Sequence, residues 1–378
     1  MCNPHPRIGR PRFLLLCLLA VLPAFGGNRY ARWEWYEPAA VAYLQEAGIT
    51  HVMVSEKAGG EFIAACERAR IQVVRGPAPP DVELVTQGKW PGLDPHVQTG
   101  PGGEGATSSA TGEPWVDSNA WAVLYHRAVS QRPVLLSYDP PKNTRLRPGS
   151  VELGVADAAV FGGHFAIKLD DRFRAGLISA QPRAVAEWKR VARQLQFAET
   201  APFRGAPAGN IAVVVDKLEP VGEVMNLLAR RNLPFVAIPR KEAAPDRLEK
   251  FAMVIAVGQP PLQVKGPILV ERKVVANPSA FAAEVRKLLA ERRLYHLTNS
   301  ETVITHLLRL DDGRLALHLI NYAIDPVRDL RVRWQAAGRL SRAQLLAPDR
   351  DGADELSVKD GEFAITELRI SAVVLVGP

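Results

Sequence analysis

The chain holds little cysteine, 3 residues in 378, which excludes a disulfide-framed fold. The apolar run Phe13–Phe25 is too short for a membrane-spanning helix, which needs about 20 residues. The sequence has no H-E-x-x-H, C-x-x-C or G-x-S-x-G. It also lacks G-x-G-x-x-G and the phosphate-binding G-x-x-x-x-G-K-[ST]. His51, His96, His126, His164, His296, His306 and His318 are scattered without metal-ligand spacing. No metal site and no cofactor is therefore expected, and nucleotide binding has no support. No stripe of Lys and Arg interleaved with aromatics is present, so nucleic acid is not an expected partner.

What is present begins with an N-terminal leader. Arg7, Arg10 and Arg12 precede the apolar run without an acid among them, and Ala24-Phe25-Gly26 supplies small residues for cleavage near Gly26. Residues 1–27 read as a signal peptide, and the protein as secreted or periplasmic. Cys17 lies inside the apolar run after Leu16, which does not suit a lipoprotein site. Removal of the leader leaves Cys66 as the sole cysteine and lowers the formal charge from +7 to +4 by the loss of three arginines. Hydrophobic residues at 47% and charged residues at 23% are ordinary for a packed protein of two or three domains.

From residue 28 to 205, short β-rich runs alternate with helical stretches. Strands are expected at 32–36, 51–55, 71–74, 82–86, 133–138 and 164–169. Helices are expected at 38–48, 59–70, 117–129, 150–161 and 182–199, the last opened by Pro182. Alternation means a parallel sheet with helical crossovers. Six strands fall short of the eight of a closed (β/α)₈ barrel, so an incomplete TIM-like barrel is expected. The Gly-, Pro- and Ser-rich stretch 87–113 interrupts the rhythm as a long loop.

Residues 206–295 read as a small doubly wound α/β domain. Its strands are expected at 211–215, 234–238, 253–257 and 268–271, with helices at 220–231, 245–250 and 278–293. Asn277-Pro278 is the start signal of the last helix. Residues 296–378 change to period 2, with seven strands from Thr302 to Val376. Turns at Asp311-Asp312-Gly313 and Lys359-Asp360-Gly361 punctuate them, which predicts a β-sandwich.

Carboxylates and aromatics at strand ends carry what chemistry the sequence offers. Trp33 and Trp35, at i and i+2, share one face of an extended segment; they either stack on sugar rings or pack a sheet interface. Glu113, Trp115, Asp117 and Asn119 crowd the end of the long loop. Acid and amide groups beside a stacking Trp suit carbohydrate hydroxyls, although Asp117 or Ser118 also suits a helix cap. Asp139 and Asp171 follow apolar strands at the rim where parallel α/β folds collect ligands, as do Glu56 and Asp170, and Glu34 in the first expected strand counts among the rim acids. Asp171 could equally pair with Arg172 or Arg174, or cap a helix. The candidate catalytic residues are thus Glu113, Asp117, Asp139 and Asp171, and the candidate sugar-binding residues are Trp33, Trp35, Trp115 and Asn119.

The domain order resembles the β-galactosidase group of barrel glycoside hydrolases that carry a trimerisation domain. The resemblance rests on Val224–Phe235 in the Rossmann-like part, on Leu317-His318-Leu319-Ile320-Asn321-Tyr322, and on the strand Ala372–Val376. It implies a carbohydrate-active protein that hydrolyses or binds a glycan at the barrel rim, and a homo-oligomer formed through the Rossmann-like domain. The Asn-Glu pair typical of that group is missing, so no catalytic residue carries over by motif. A non-catalytic carbohydrate-binding or assembly protein on the same scaffold is the alternative.

Overall fold

A computed structural model describes residues 27–93, 116–140, 146–323, 325–336 and 340–377. The N-terminal part is a curled, all-parallel sheet of six strands: β1 (Tyr30–Arg32), β2 (His51–Val54), β3 (Gln72–Arg75), β4 (Glu83–Val85), β5 (Val134–Leu136) and β6 (His164–Ile167). Their order across the sheet is β3-β2-β1-β6-β5-β4. This is the cyclic order of a barrel: the last strand pairs with the first, and the circle is open between β3 and β4. A half barrel results, in line with the six strands expected.

Helices α1 (Ala40–Glu46), α2 (Gly60–Arg68), α3 (Ala120–Val129), α4 (Ser150–Val160), α5 (Asp171–Ile178) and α6 (Pro182–Phe197) flank this sheet. Strand alternation decides what meets them. Ala31, Val52, Val54, Val134, Leu136, Phe165 and Ile167 join the large helix-covered core. Tyr30, Met53, Leu135 and Ala166 form a separate small cluster on the other face. Cys66 on α2 is fully buried, and burial pushes its thiol up to about 11, so it behaves as a small apolar residue.

The first expected strand needs correction. It ends at Arg32, not at residue 36. Trp33 and Trp35 continue the alternation on Ala31's side and sink into the helix-covered core, 2% and 7% exposed. They stack at 6.5 Å and meet Trp188 and Tyr43. Neither offers an open ring face for a sugar, because the helix side of the sheet already covers both.

The second part is a four-stranded parallel sheet of β7 (Ile211–Val215), β8 (Phe235–Pro239), β9 (Met253–Val257) and β10 (Ile268–Arg272), in the order β8-β7-β9-β10. Helices α7 (Leu218–Arg230) and α9 (Pro278–Leu289) and the short α8 (Pro245–Leu248) pack on it. The Asn277 side chain caps α9 by accepting from the Ala280 amide at 3.0 Å.

The last part is antiparallel. Strands β11 (Tyr295–Thr298), β14 (Val327–Trp334) and β17 (Glu362–Leu368) form one sheet. The other contains β12 (Val303–Arg309), β13 (Leu315–Asn321), β15 (Arg342–Leu346), β16 (Asp354–Leu356) and β18 (Ser371–Gly377). The two-residue strand Ala206–Pro207 adds to its edge beside β12. Leu317, Leu319, Leu330, Val332, Phe363 and Val374 fill the space between the sheets. The opposite face of the larger sheet lies on the half barrel through Ile304, Ile320 and Tyr322. Both of its faces are buried, which is why β12, β13 and β18 read as near-continuous apolar runs.

Candidate functional site

The period that buries Trp33 and Trp35 sends their neighbours the other way. Arg32 shares a face with Tyr30, Lys168 continues from Ala166, and Glu34 follows Arg32 past the end of β1. Asp139 lies in the loop beyond β5. These side chains converge at the C-terminal ends of β1, β5 and β6, where they form one alternating chain of charge. Arg32 pairs with Asp139 at 2.9 Å, and Asp139 pairs with the Lys168 Nζ at 2.7 Å. Lys168 also reaches Glu34 at 3.2 Å. Glu34 pairs with Arg174 at 3.0 Å, and Arg174 with Asp171 at 2.7 Å.

The Glu34 and Asp139 oxygens share the Lys168 Nζ, so they lie no more than about 6 Å apart, the two Nζ distances of 2.7 and 3.2 Å laid end to end. The hydrogen bond from Lys168, helped by the charges of Arg32 and Lys168, holds the Asp139 carboxyl below its usual range against the opposing effect of burial. Lys168 is the most enclosed member, 16% exposed, whereas Asp139 is 62% and Asp171 is 92% exposed. The rim is an open surface: the crevice that Trp33 and Trp35 line together with Arg32, Glu34, Lys168 and Arg174 measures only about 10 Å³. Asp170, not Asp171, caps α5, accepting from the Phe173 amide at 2.7 Å. That leaves Asp171 free to take Arg174 as its partner.

The other expected site residues fall elsewhere. Glu113 and Trp115 lie outside the described residues; the ends of their segment are joined by a two-residue ladder between Gly92–Leu93 and Val116–Asp117. Asp117 is 9% exposed and ion-pairs with Lys89 at 2.9 Å. Asn119 is fully buried. Its Oδ1 accepts from the Lys89 amide, and its Nδ2 lies within 2.8 Å of the Lys89 carbonyl, Tyr138 Oη and Asp157 Oδ2. Asn119 is therefore a structural hub rather than a sugar ligand, because its hydrogen-bonding groups are engaged within the protein.

Asp157, on α4, is the centre of that hub and was not singled out from the sequence. Its carboxyl is wholly buried and receives Tyr322 Oη at 2.5 Å, Ser118 Oγ at 2.9 Å and the Asn119 amide at 3.1 Å. Burial pushes its pKa up, and the hydrogen bonds from Tyr322, Asn119 and Ser118 work against that rise. Tyr322 closes the segment Leu317–Tyr322 quoted above, so this stretch joins the sandwich to the half barrel. Gly88 belongs to the same packing: a Cβ there would stand 2.2 Å from the Tyr138 ring.

No family model matches the chain, and no curated protein matches it. Solved structures do. An α-L-fucosidase isoenzyme 2 from Paenibacillus thiaminolyticus is similar at 9% identity and a TM-score of 0.49, over 89% of this chain and 79% of that one. A catalytic mutant of a GH42 β-galactosidase from G. stearothermophilus is similar at 9% identity and a TM-score of 0.44, over 68% of this chain and 56% of that one. An apo exo-carrageenase GH42 from Bacteroides ovatus is similar at 12% identity and a TM-score of 0.41, over 69% of this chain and 44% of that one. The chain thus spans about half the length of the last two.

Proposed function

We propose that the chain is an exported glycan-binding protein whose ligand lies across the charged rim of the half barrel. The observation that carries this reading is the run Arg32–Asp139–Lys168–Glu34–Arg174–Asp171, joined by ion pairs at 2.7 to 3.2 Å. A polyhydroxylated ligand needs acceptors and donors side by side. The carboxylates supply acceptors, and the ammonium and guanidinium groups supply donors. Exposed ion pairs are worth only about 0–1 kcal/mol each, so sugar hydroxyls can insert among them at small cost. The position is the strand C-terminal rim where ligands of parallel α/β folds collect. Arg7, Arg10 and Arg12 ahead of the run Phe13–Phe25 support export.

Binding is favoured over hydrolysis by the surroundings of Glu34 and Asp139. Glycoside cleavage requires one carboxyl to keep its proton as the acid, beside a second about 5–5.5 Å away for retention. Glu34 and Asp139 come close enough, yet each lies on the open rim between two cations, Glu34 between Lys168 and Arg174 and Asp139 between Lys168 and Arg32, and neither has the apolar surroundings in which enzymes keep a general acid.

A glycan array read with the wild type and with Lys168→Met tests the reading. The wild type is expected to retain at least one glycan class, and the variant to lose about tenfold or more in affinity, since charge-assisted hydrogen bonds are worth roughly 1.5–3 kcal/mol. A panel on which nothing is retained overturns the proposal. Release of aryl glycosides that Glu34→Gln or Asp139→Asn abolishes replaces it with a hydrolase.

A further inference from the structure

A second cavity, sharing no lining residue with the rim, lies between the four-stranded α/β sheet and the sandwich. It is a cleft open on one side, of about 710 Å³, within the range of small-molecule sites and at the kind of domain junction where they occur. Ile238 and Phe251 line it from the α/β side, and Leu307, Leu315, Trp334 and Leu340 from the sandwich. Trp334 is fixed by stacking on Tyr295 at 5.9 Å, with 17° between the rings. An apolar body is therefore matched by rigid walls.

The polar groups of this cleft are of one sign. Arg247, Lys250 and Arg309 line it, and no Asp or Glu does among the described residues. Arg247 is engaged by Glu242 at 2.5 Å. Lys250 and Arg309 have no ion-pair partner among the described residues, whereas most arginines of the rim and the sandwich surface do. Two uncompensated cations at the mouth of an apolar cleft attract an anion that also carries an apolar body.

We infer that this cleft binds a small amphipathic carboxylate, an alkyl or aryl chain ending in one negative group, with the chain against Trp334 and Phe251 and the carboxylate near Lys250 and Arg309. The site is independent of the glycan rim, and neither reading needs the other.

Calorimetric titration of the full chain with decanoate, and with decanol as the uncharged match, tests the inference. The wild type is expected to take up one decanoate per chain and to bind decanol more weakly. Lys250→Glu/Arg309→Glu is expected to weaken decanoate roughly fivefold or more while leaving decanol unchanged, the size expected for reversing two exposed charges. Ala208→Trp, which fills the cleft from its wall, is expected to abolish both. The thermal midpoint confirms folding of each variant; should Ala208→Trp not fold, the charge-reversed pair decides. Equal affinity for decanoate and decanol, decanoate binding indifferent to the charge reversal, or no uptake by the wild type each overturns it. Lys168→Met is expected to leave decanoate binding unchanged, which separates this site from the rim.

Discussion

Two single residues carry most of the local consequences. Tyr322 donates to Asp157 across the junction of sandwich and half barrel at 2.5 Å. Removing its hydroxyl leaves a buried carboxyl short of a donor, and such a loss costs about 1–3 kcal/mol. Tyr322→Phe is therefore expected to lower the unfolding free energy by that amount, measured by equilibrium unfolding in urea, whereas Tyr36→Phe, at an exposed hydroxyl bonded to Ser55, is expected to change little. Lys168 is the second. With Lys168→Met, Glu34 and Asp139 face each other without the shared cation, so the Asp139 pKa should rise from its depressed position. An NMR titration of the side-chain carboxyl reads this directly, and an unchanged pKa would show that Arg32 alone holds it.

At the scale of elements, the hairpin β12–β13 places His306 directly opposite His318. Both are buried against the half barrel, with Phe161 beside His306 and Phe203 beside His318. Burial pushes the pKa of His318 down to about 4, opposed by its contact with the Pro202 carbonyl. Burial, with His318 and Arg127 nearby, also pushes His306 down. In the unfolded chain each titrates near 6.5. Between about 6.5 and 4 the unfolded chain holds the extra proton, so stability present above 6.5 is lost as the pH falls. The contribution of His318 is roughly 3 kcal/mol at the low end of that window. Urea midpoints at pH 7.5 and pH 4.5 are expected to differ accordingly, and His318→Phe to flatten the difference. Helix α6 makes a complementary prediction. Trp188 is fully buried among Trp33, Tyr43 and Phe173, and its indole donates to the Tyr43 carbonyl at 3.0 Å. Trp188→Ala is expected to cost about 3–5 kcal/mol in the same unfolding measurement.

These elements also show what the sequence made legible. Strands whose two faces are both buried, such as β7 and β9, stand out as apolar runs with matching ends. Helix α6 is announced by Pro182 and its apolar face, and α9 by Asn277. The two-residue ladder at Gly92–Leu93 and the strand β11 carry too little pattern to be read. The rim was half legible. Its acids follow from their place after strands, and the alternation that unites Arg32, Glu34 and Lys168 is written in the sequence. That Trp33 and Trp35 go to the helix side depends on which face the helices cover, which local pattern does not state. Asp157 was hidden for a similar reason: a lone acid inside a helix looks solvated until the residues packed against it are known.

For the whole molecule, the half barrel, the parallel α/β sheet and the sandwich meet through apolar faces and through buried polar contacts such as Tyr322–Asp157, Ser371–Gln194 and Asn232–Thr305, leaving the rim on an open surface. The central claim is that this rim holds a glycan. Carboxyl footprinting with a carbodiimide and glycine ethyl ester, read by mass spectrometry with and without the glycan retained best on the array, tests it most directly. Glu34, Asp139 and Asp171 are expected to lose reactivity together while Asp312 and Glu355 on the sandwich surface, each about half exposed, keep theirs. Unchanged reactivity at the three rim carboxylates, or protection confined to other acids, would contradict it.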